Sequence, residues 1–134
     1  MTIHYKNGYK YQLVADATFQ LPESFRGFTY RGDFLQLTKT GRLILKTGYA
    51  WNGPSGPTWD TKSGQQGSVK HDALYQLMVL NAISRSLKEA ADFVFYQTLL
   101  DDGMHPWRAW YWYKGVQKFG VDATIRNQDI MVAP

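Results

Sequence analysis

The stretch Ser68-Val69-Lys70-His71-Asp72-Ala73-Leu74-Tyr75-Gln76-Leu77-Met78-Val79-Leu80-Asn81 decides how this chain folds. Upstream, apolar residues alternate with a period of two; from here the period is near 3.6. His71, Leu74, Tyr75 and Met78 fall at i, i+3, i+4 and i+7, so a helix over 68–81 carries a histidine at the head of an apolar stripe. Ser68 sits where a cap belongs. The segment 86–101 repeats the spacing with Asp92, Phe95, Tyr96 and Leu99. Ser86 followed by Glu89 reads as a capping box at its start, and Gly103 stops it. A third helix is predicted over 106–119, opened by Pro106 and closed by Gly120. The tail then reads as a returning strand over 123–132.

Working toward the N-terminus, Gly and Pro crowd into residues 48–67, and before them the pattern is β. Lys10-Tyr11-Gln12-Leu13-Val14 alternates, and Phe34-Leu35-Gln36-Leu37 is followed across Thr38-Lys39-Thr40-Gly41 by Leu43-Ile44-Leu45, a hairpin signal. Leu21-Pro22 and Arg31-Gly32-Asp33 punctuate the region as turns, which predicts a small antiparallel sheet of about three or four strands. The expected architecture is α+β in one domain over 1–134. Residues 1–50 are mainly β, 51–67 a Gly/Pro loop, 68–120 three helices and 121–134 a tail.

Composition narrows the chemistry. With 134 residues the chain buries one core and has no room for two enzymatic lobes. It has no cysteine, which excludes disulfide scaffolds, thiolate metal sites and a cysteine nucleophile. Any metal rests on oxygen or imidazole. The 15 basic residues against 11 acidic ones are spread without a Lys/Arg run, so nucleic acid is not expected as a partner. The N-terminus lacks the apolar core of a cleaved export signal, and no window approaches the ~20 apolar residues of a membrane span. Five Trp, nine Tyr and seven Phe exceed what one small core requires.

A short connection between the first two helices folds them antiparallel and sets Asp92 about level with Tyr75, with His71 one turn away, ~6 Å along the axis. An Asp–His pair beside a tyrosine hydroxyl is the arrangement of a general base, because the carboxylate fixes the imidazole tautomer and frees the other nitrogen to take a proton from water. Asp72 points about 100° around the helix toward Trp51-Asn52-Gly53-Pro54-Ser55-Gly56-Pro57-Thr58. There the glycines let backbone carbonyls converge, and carbonyls with a carboxylate are the hard oxygen set of calcium. A calcium there polarises an ester carbonyl. The same residues also read without chemistry: His71 as a satisfied core histidine, Asp92 as the acceptor of a structural network, Asp72 as a first-turn carboxylate favoured by the helix dipole, and the Gly/Pro segment as a plain connector.

From Gly48 to Gly120 the sequence resembles the phage and prophage family catalogued as domain of unknown function 1353. The likeness rests on Gly48-Tyr49-Ala50-Trp51-Asn52-Gly53-Pro54-Ser55-Gly56-Pro57-Thr58, His71-Asp72-Ala73-Leu74-Tyr75, Ala91-Asp92-Phe93-Val94-Phe95, Gly115-Val116 and Phe119-Gly120. It implies a phage-encoded protein made in the host cytoplasm, with association with the virion as an expectation. The ordered set of Gly-Pro loop, His-Asp-x-x-Tyr and second-helix Asp is similar, more distantly, to phospholipase A2 of the compact parvovirus-capsid type. That resemblance implies a helical core of that kind and calcium-dependent hydrolysis of phospholipid. His71 is then the base, Asp92 its orienter, and Tyr75 and Tyr96 support the pair. Asp72, Gly53, Gly56 and Asn52 are the calcium residues, Asn52 being a neutral ligand where close phage relatives are expected to carry Asp.

Pro106-Trp107-Arg108-Ala109-Trp110-Tyr111-Trp112-Tyr113-Lys114 puts five aromatics into seven residues, too many for one inward face. The expectation is that part of Trp107, Trp110, Tyr111, Trp112 and Tyr113 packs on the sheet and part forms an interface. A phage structural protein or host protein is one partner class, membrane lipid the other. A non-enzymatic virion or host-interaction component docking through this helix is the alternative function.

Overall fold

The computed structural model describes residues 5–6, 11–51 and 62–126, with side chains over 12–51 and 64–118. It is α+β: small antiparallel sheets precede three helices. One sheet has the order β1 (Tyr5–Lys6), β2 (Tyr11–Leu13), β7 (Ala50–Trp51). The other runs β3 (Ala17–Gln20), β6 (Arg42–Leu45), β5 (Leu35–Leu37), β4 (Tyr30–Arg31). Among the described residues seven short strands thus replace the three or four expected. The added ones are two to four residues long, too short to show alternation, and β3 hides in Ala17-Thr18-Phe19-Gln20, where two inward residues are all the pattern there is.

The predicted β5–β6 hairpin forms with Leu37 opposite Leu43 and Leu35 opposite Leu45. Its turn closes through Gly41 N–H to the Thr38 carbonyl, 3.0 Å, and Gly41 takes φ +85°, a conformation that an L side chain resists. Ala17, Phe19, Leu35, Leu37, Leu43 and Leu45 form the inward face, and they join Val69, Leu74 and Leu77 of the first helix in one core.

Helix α1 spans Lys62–Val79, α2 Lys88–Asp101 and α3 Pro106–Arg126. Three expectations are corrected. The loop reaches 61 at most, because residues 62–67 are helical, and Ser68 is a buried interior residue instead of a cap. Gly64 and Gly67 read as loop signals in sequence. Gly67 in fact serves packing: a Cβ there would meet Leu99 Cδ2 at 3.1 Å and Phe95 Cδ1 at 3.2 Å, so its absence lets α2 approach. Second, the residue before α2 is Leu87, with no side-chain cap, and Ser86 is not its box residue. Ser84 instead accepts from Ser86 N–H at 3.2 Å, starting a 3-10 turn over Arg85–Leu87 that feeds the helix. Third, α3 passes through Gly120 to Arg126, so 121–126 is helix and the tail strand is contradicted there; residues 127–132 lie outside the described part. One helical glycine costs only about 1 kcal/mol relative to alanine, too little to end a long helix.

Both helix exits follow one design. Gly103 (φ +91°) sits between bonds Gly103 N–H to Leu100 O and Met104 N–H to Leu99 O, both 3.0 Å. Asn81 (φ 60°) does the same for α1, with Asn81 N–H to Met78 O at 3.0 Å and Ala82 N–H to Leu77 O at 2.8 Å. These paired bonds satisfy the last carbonyls and turn the chain sharply. The turn after α1 brings α2 back antiparallel, and α3 packs on α2 through Phe95, Leu99, Met104, Ala109, Trp112 and Val116.

Candidate functional site

The antiparallel pairing of α1 and α2 brings His71 and Asp92 together, 21 residues apart in sequence: His71 Nε2 lies 2.7 Å from Asp92 Oδ1. The Tyr75 hydroxyl donates to the same oxygen at 2.5 Å. Lys88 Nζ takes the other oxygen, Oδ2, at 2.7 Å, and also donates to the Gln117 carbonyl of α3 at 3.2 Å. The Asp92 side chain is fully buried, that of His71 9% exposed. The Tyr75 and Phe95 rings flank the imidazole with centroids at 4.1 and 5.1 Å, fixing its plane.

Burial by itself raises a carboxyl pKa. Here the hydrogen bonds from His71, Lys88 and Tyr75 outweigh it and hold Asp92 below the usual carboxylate range. Burial, then the bond to Asp92 and the charges of Asp92 and Asp72, push the Tyr75 hydroxyl far above the ordinary tyrosine range, so it stays a donor. An ionised carboxylate only accepts. In the neutral imidazole Nε2 therefore carries the proton, and Nδ1 presents its lone pair. Nδ1 makes no hydrogen bond to the described residues, and the His71 side chain as a whole is 9% exposed. The arrangement can accept a proton at Nδ1 while Asp92 stabilises the resulting imidazolium.

Of the sequence-assigned residues, His71, Asp92 and Tyr75 meet. Tyr96 does not: it stacks on Tyr113 at 4.9 Å, facing α3, and makes no bond to the pair. Phe95, one residue earlier, takes the place beside the imidazole. Sequence reading missed Lys88, although its i, i+4 spacing to Asp92 on a helix was a usable signal. It also missed Tyr49, whose buried hydroxyl donates to Gln76 Oε1 at 2.9 Å and ties β7's approach to α1.

Asp72 is half-buried and, ten residues into α1, is no first-turn carboxylate. Burial, and after it the negative charge of Asp72, raise the Tyr49 hydroxyl well above the usual tyrosine range. A carboxylate there is a donor of the hard kind that calcium takes. Asn52, Gly53 and Gly56 lie outside the described residues. Among the described residues, no three His, Asp or Glu side chains gather as a metal cluster.

The aromatic helix divides. Trp112 is buried against α2, correcting its assignment to an interface, and Tyr113 is half-buried between Tyr96 and Phe93. These rings pack on α2, and no sheet residue belongs to their cluster among the described residues. Trp107, Trp110 and Tyr111 face outward. Among the described residues no helix is long and apolar enough to cross a membrane. Comparison of the chain with family models, curated proteins and solved structures gives no match.

Proposed function

We propose that the chain is a phage-encoded hydrolase of the phospholipase A2 kind, cleaving a phospholipid ester during infection or lysis with His71 as general base. The observation that carries this reading is the His71 Nε2 to Asp92 Oδ1 bond of 2.7 Å, with Nδ1 left as the proton acceptor. Water bonded to Nδ1 loses its proton to the imidazole as its oxygen attacks the ester carbonyl. Asp92 stabilises the imidazolium, which then returns the proton to the departing alkoxide. Tyr75 and Lys88 keep Asp92 ionised and in place. Asp72, with Asn52, Gly53 and Gly56, is the set that would hold calcium, and bound calcium supplies polarisation of the ester carbonyl.

The test is fatty-acid release from phospholipid vesicles with and without calcium. Wild type should release fatty acid only with calcium, and His71→Gln should lower the rate by ~10²–10⁴, the usual contribution of a general base. Equal, negligible release from both proteins would leave the pair as a buried structural node.

A further inference from the structure

Lys88 runs against both electrostatic preferences of its own helix. It is the first residue of α2, where the positive end of the helix dipole disfavours a cation. It also precedes Asp92 by four positions, the weaker order for a charged pair on a helix. The side chain is withdrawn from water as well, 18% exposed. Local helix electrostatics give no reason for a cation here; the reason lies in what the ammonium joins.

Lys88 Nζ meets Asp92 Oδ2 at 2.7 Å and the Gln117 carbonyl of α3 at 3.2 Å. Both acceptors are held firmly. Asp92 is fully buried, with His71 Nε2 and the Tyr75 hydroxyl on its other oxygen. Gln117 follows the residues that lock α3 to α2: Trp112 and Val116 are buried in one cluster with Phe95 and Leu99, and the Tyr113 ring lies 4.9 Å from that of Tyr96. Gln117 Nε2 also donates to the Tyr113 hydroxyl at 3.0 Å. A lysine stem is flexible, and an ammonium held by one oxygen still swings; two acceptors on different helices fix it. Rotation of Asp92 about Cβ–Cγ exchanges its two oxygens. An ammonium fixed on Oδ2 blocks that rotation, so Oδ1 alone faces the imidazole.

We propose that Lys88 is a positioning residue for His71, acting through Asp92, and that α3 belongs to the hydrolytic site because the Gln117 carbonyl anchors the Lys88 ammonium. The inference rests on the hydrolytic reading and extends it: the geometry of a base on α1 is set from a helix that carries neither member of the pair. Loosening α3 then loosens the His71 Nε2–H bond to Asp92 with every residue of the pair intact.

The experiment follows the His71 Nε2–H resonance and its exchange with water in the full chain, with neither lipid nor calcium present, alongside fatty-acid release with calcium. Lys88→Met should exchange this proton about tenfold faster than wild type and lower kcat about tenfold with KM little changed, the usual scale for one lost charged hydrogen bond. Lys88→Arg keeps the cation and should restore both. Val116→Ala truncates a buried side chain of α3, leaves Lys88, Asp92 and His71 in the sequence, and should also speed the exchange. Lys46→Met, which breaks an exposed ion pair on the sheet, should change neither readout; circular dichroism checks that each variant is folded. A lysine that served stability alone would lower the melting temperature of Lys88→Met and leave the ring proton as in wild type, and that result overturns the proposal. Wild-type exchange in Val116→Ala, or no rescue by Lys88→Arg, overturns it too. A wild type that releases no fatty acid removes the hydrolytic reading, and the ring-proton comparison still decides this one.

Discussion

Asp92 is a fully buried carboxylate with three donors, and its surroundings allow it no other role than an ionised acceptor. Removing it strands His71, Tyr75 and Lys88 in a protein interior, so Asp92→Ala should cost about 3–5 kcal/mol in urea unfolding. Tyr75→Phe deletes one charged hydrogen bond and should cost about 1.5–3 kcal/mol. The pH dependence follows from the direction of the shift. An unfolded aspartate titrates near 3.9. The folded Asp92 sits lower, so the unfolded chain binds the proton first on acidification. The stabilisation is full above about pH 5 and is lost as pH falls through the folded value. Lys88→Met withdraws one of the bonds that hold Asp92 low, so its acid unfolding midpoint should move upward relative to wild type. His71, Tyr75 and Asp92 were legible from i, i+3, i+4 spacing on two helices joined by a short turn. Tyr96 was misread because periodicity alone cannot tell which of two adjacent positions, 95 or 96, points at the neighbouring helix.

At the scale of elements, the close approach of α1 and α2 depends on a residue with no side chain. Gly67→Ala gains up to about 1 kcal/mol in helix propensity. Its Cβ would press on Leu99 and Phe95, both fully buried and unable to retreat, and overpacking of this kind costs about 1–3 kcal/mol. Net destabilisation is the expected outcome, and Gly67→Val should be worse; thermal melts of the two variants check the order. Gly103→Ala should also destabilise, by about 1 kcal/mol, through its positive φ alone, because nothing lies within 4 Å of an added Cβ. These glycines mark what sequence could and could not disclose. Gly103 announced a helix end correctly because its neighbours supply the paired exit bonds. Gly67 looked like loop because composition records a missing side chain without recording that Phe95 and Leu99 fill the space. The hairpin of β5 and β6 was readable from its own turn, whereas β3 acquires its identity only by pairing with β6.

For the whole molecule, the layers put a sheet, then α1 and α2 with the His71–Asp92 pair between them, then α3 with its aromatic stripe. The aromatic excess of the composition is thereby divided: Trp112 holds α3 to α2, while Trp107, Trp110 and Tyr111 face outward. One ammonium, Lys88, spans from the carboxylate to the backbone of the outer helix. Whether the intact molecule is built to take a proton from water reduces to the state of one ring. The direct measurement is a long-range ¹H–¹⁵N correlation spectrum of His71 in the folded protein, recorded where the spectrum itself shows a single ring proton. The structure predicts the Nε2–H form, with Nδ1 resonating as an unprotonated nitrogen. A proton found on Nδ1, with Nε2 bare against Asp92, would contradict the account.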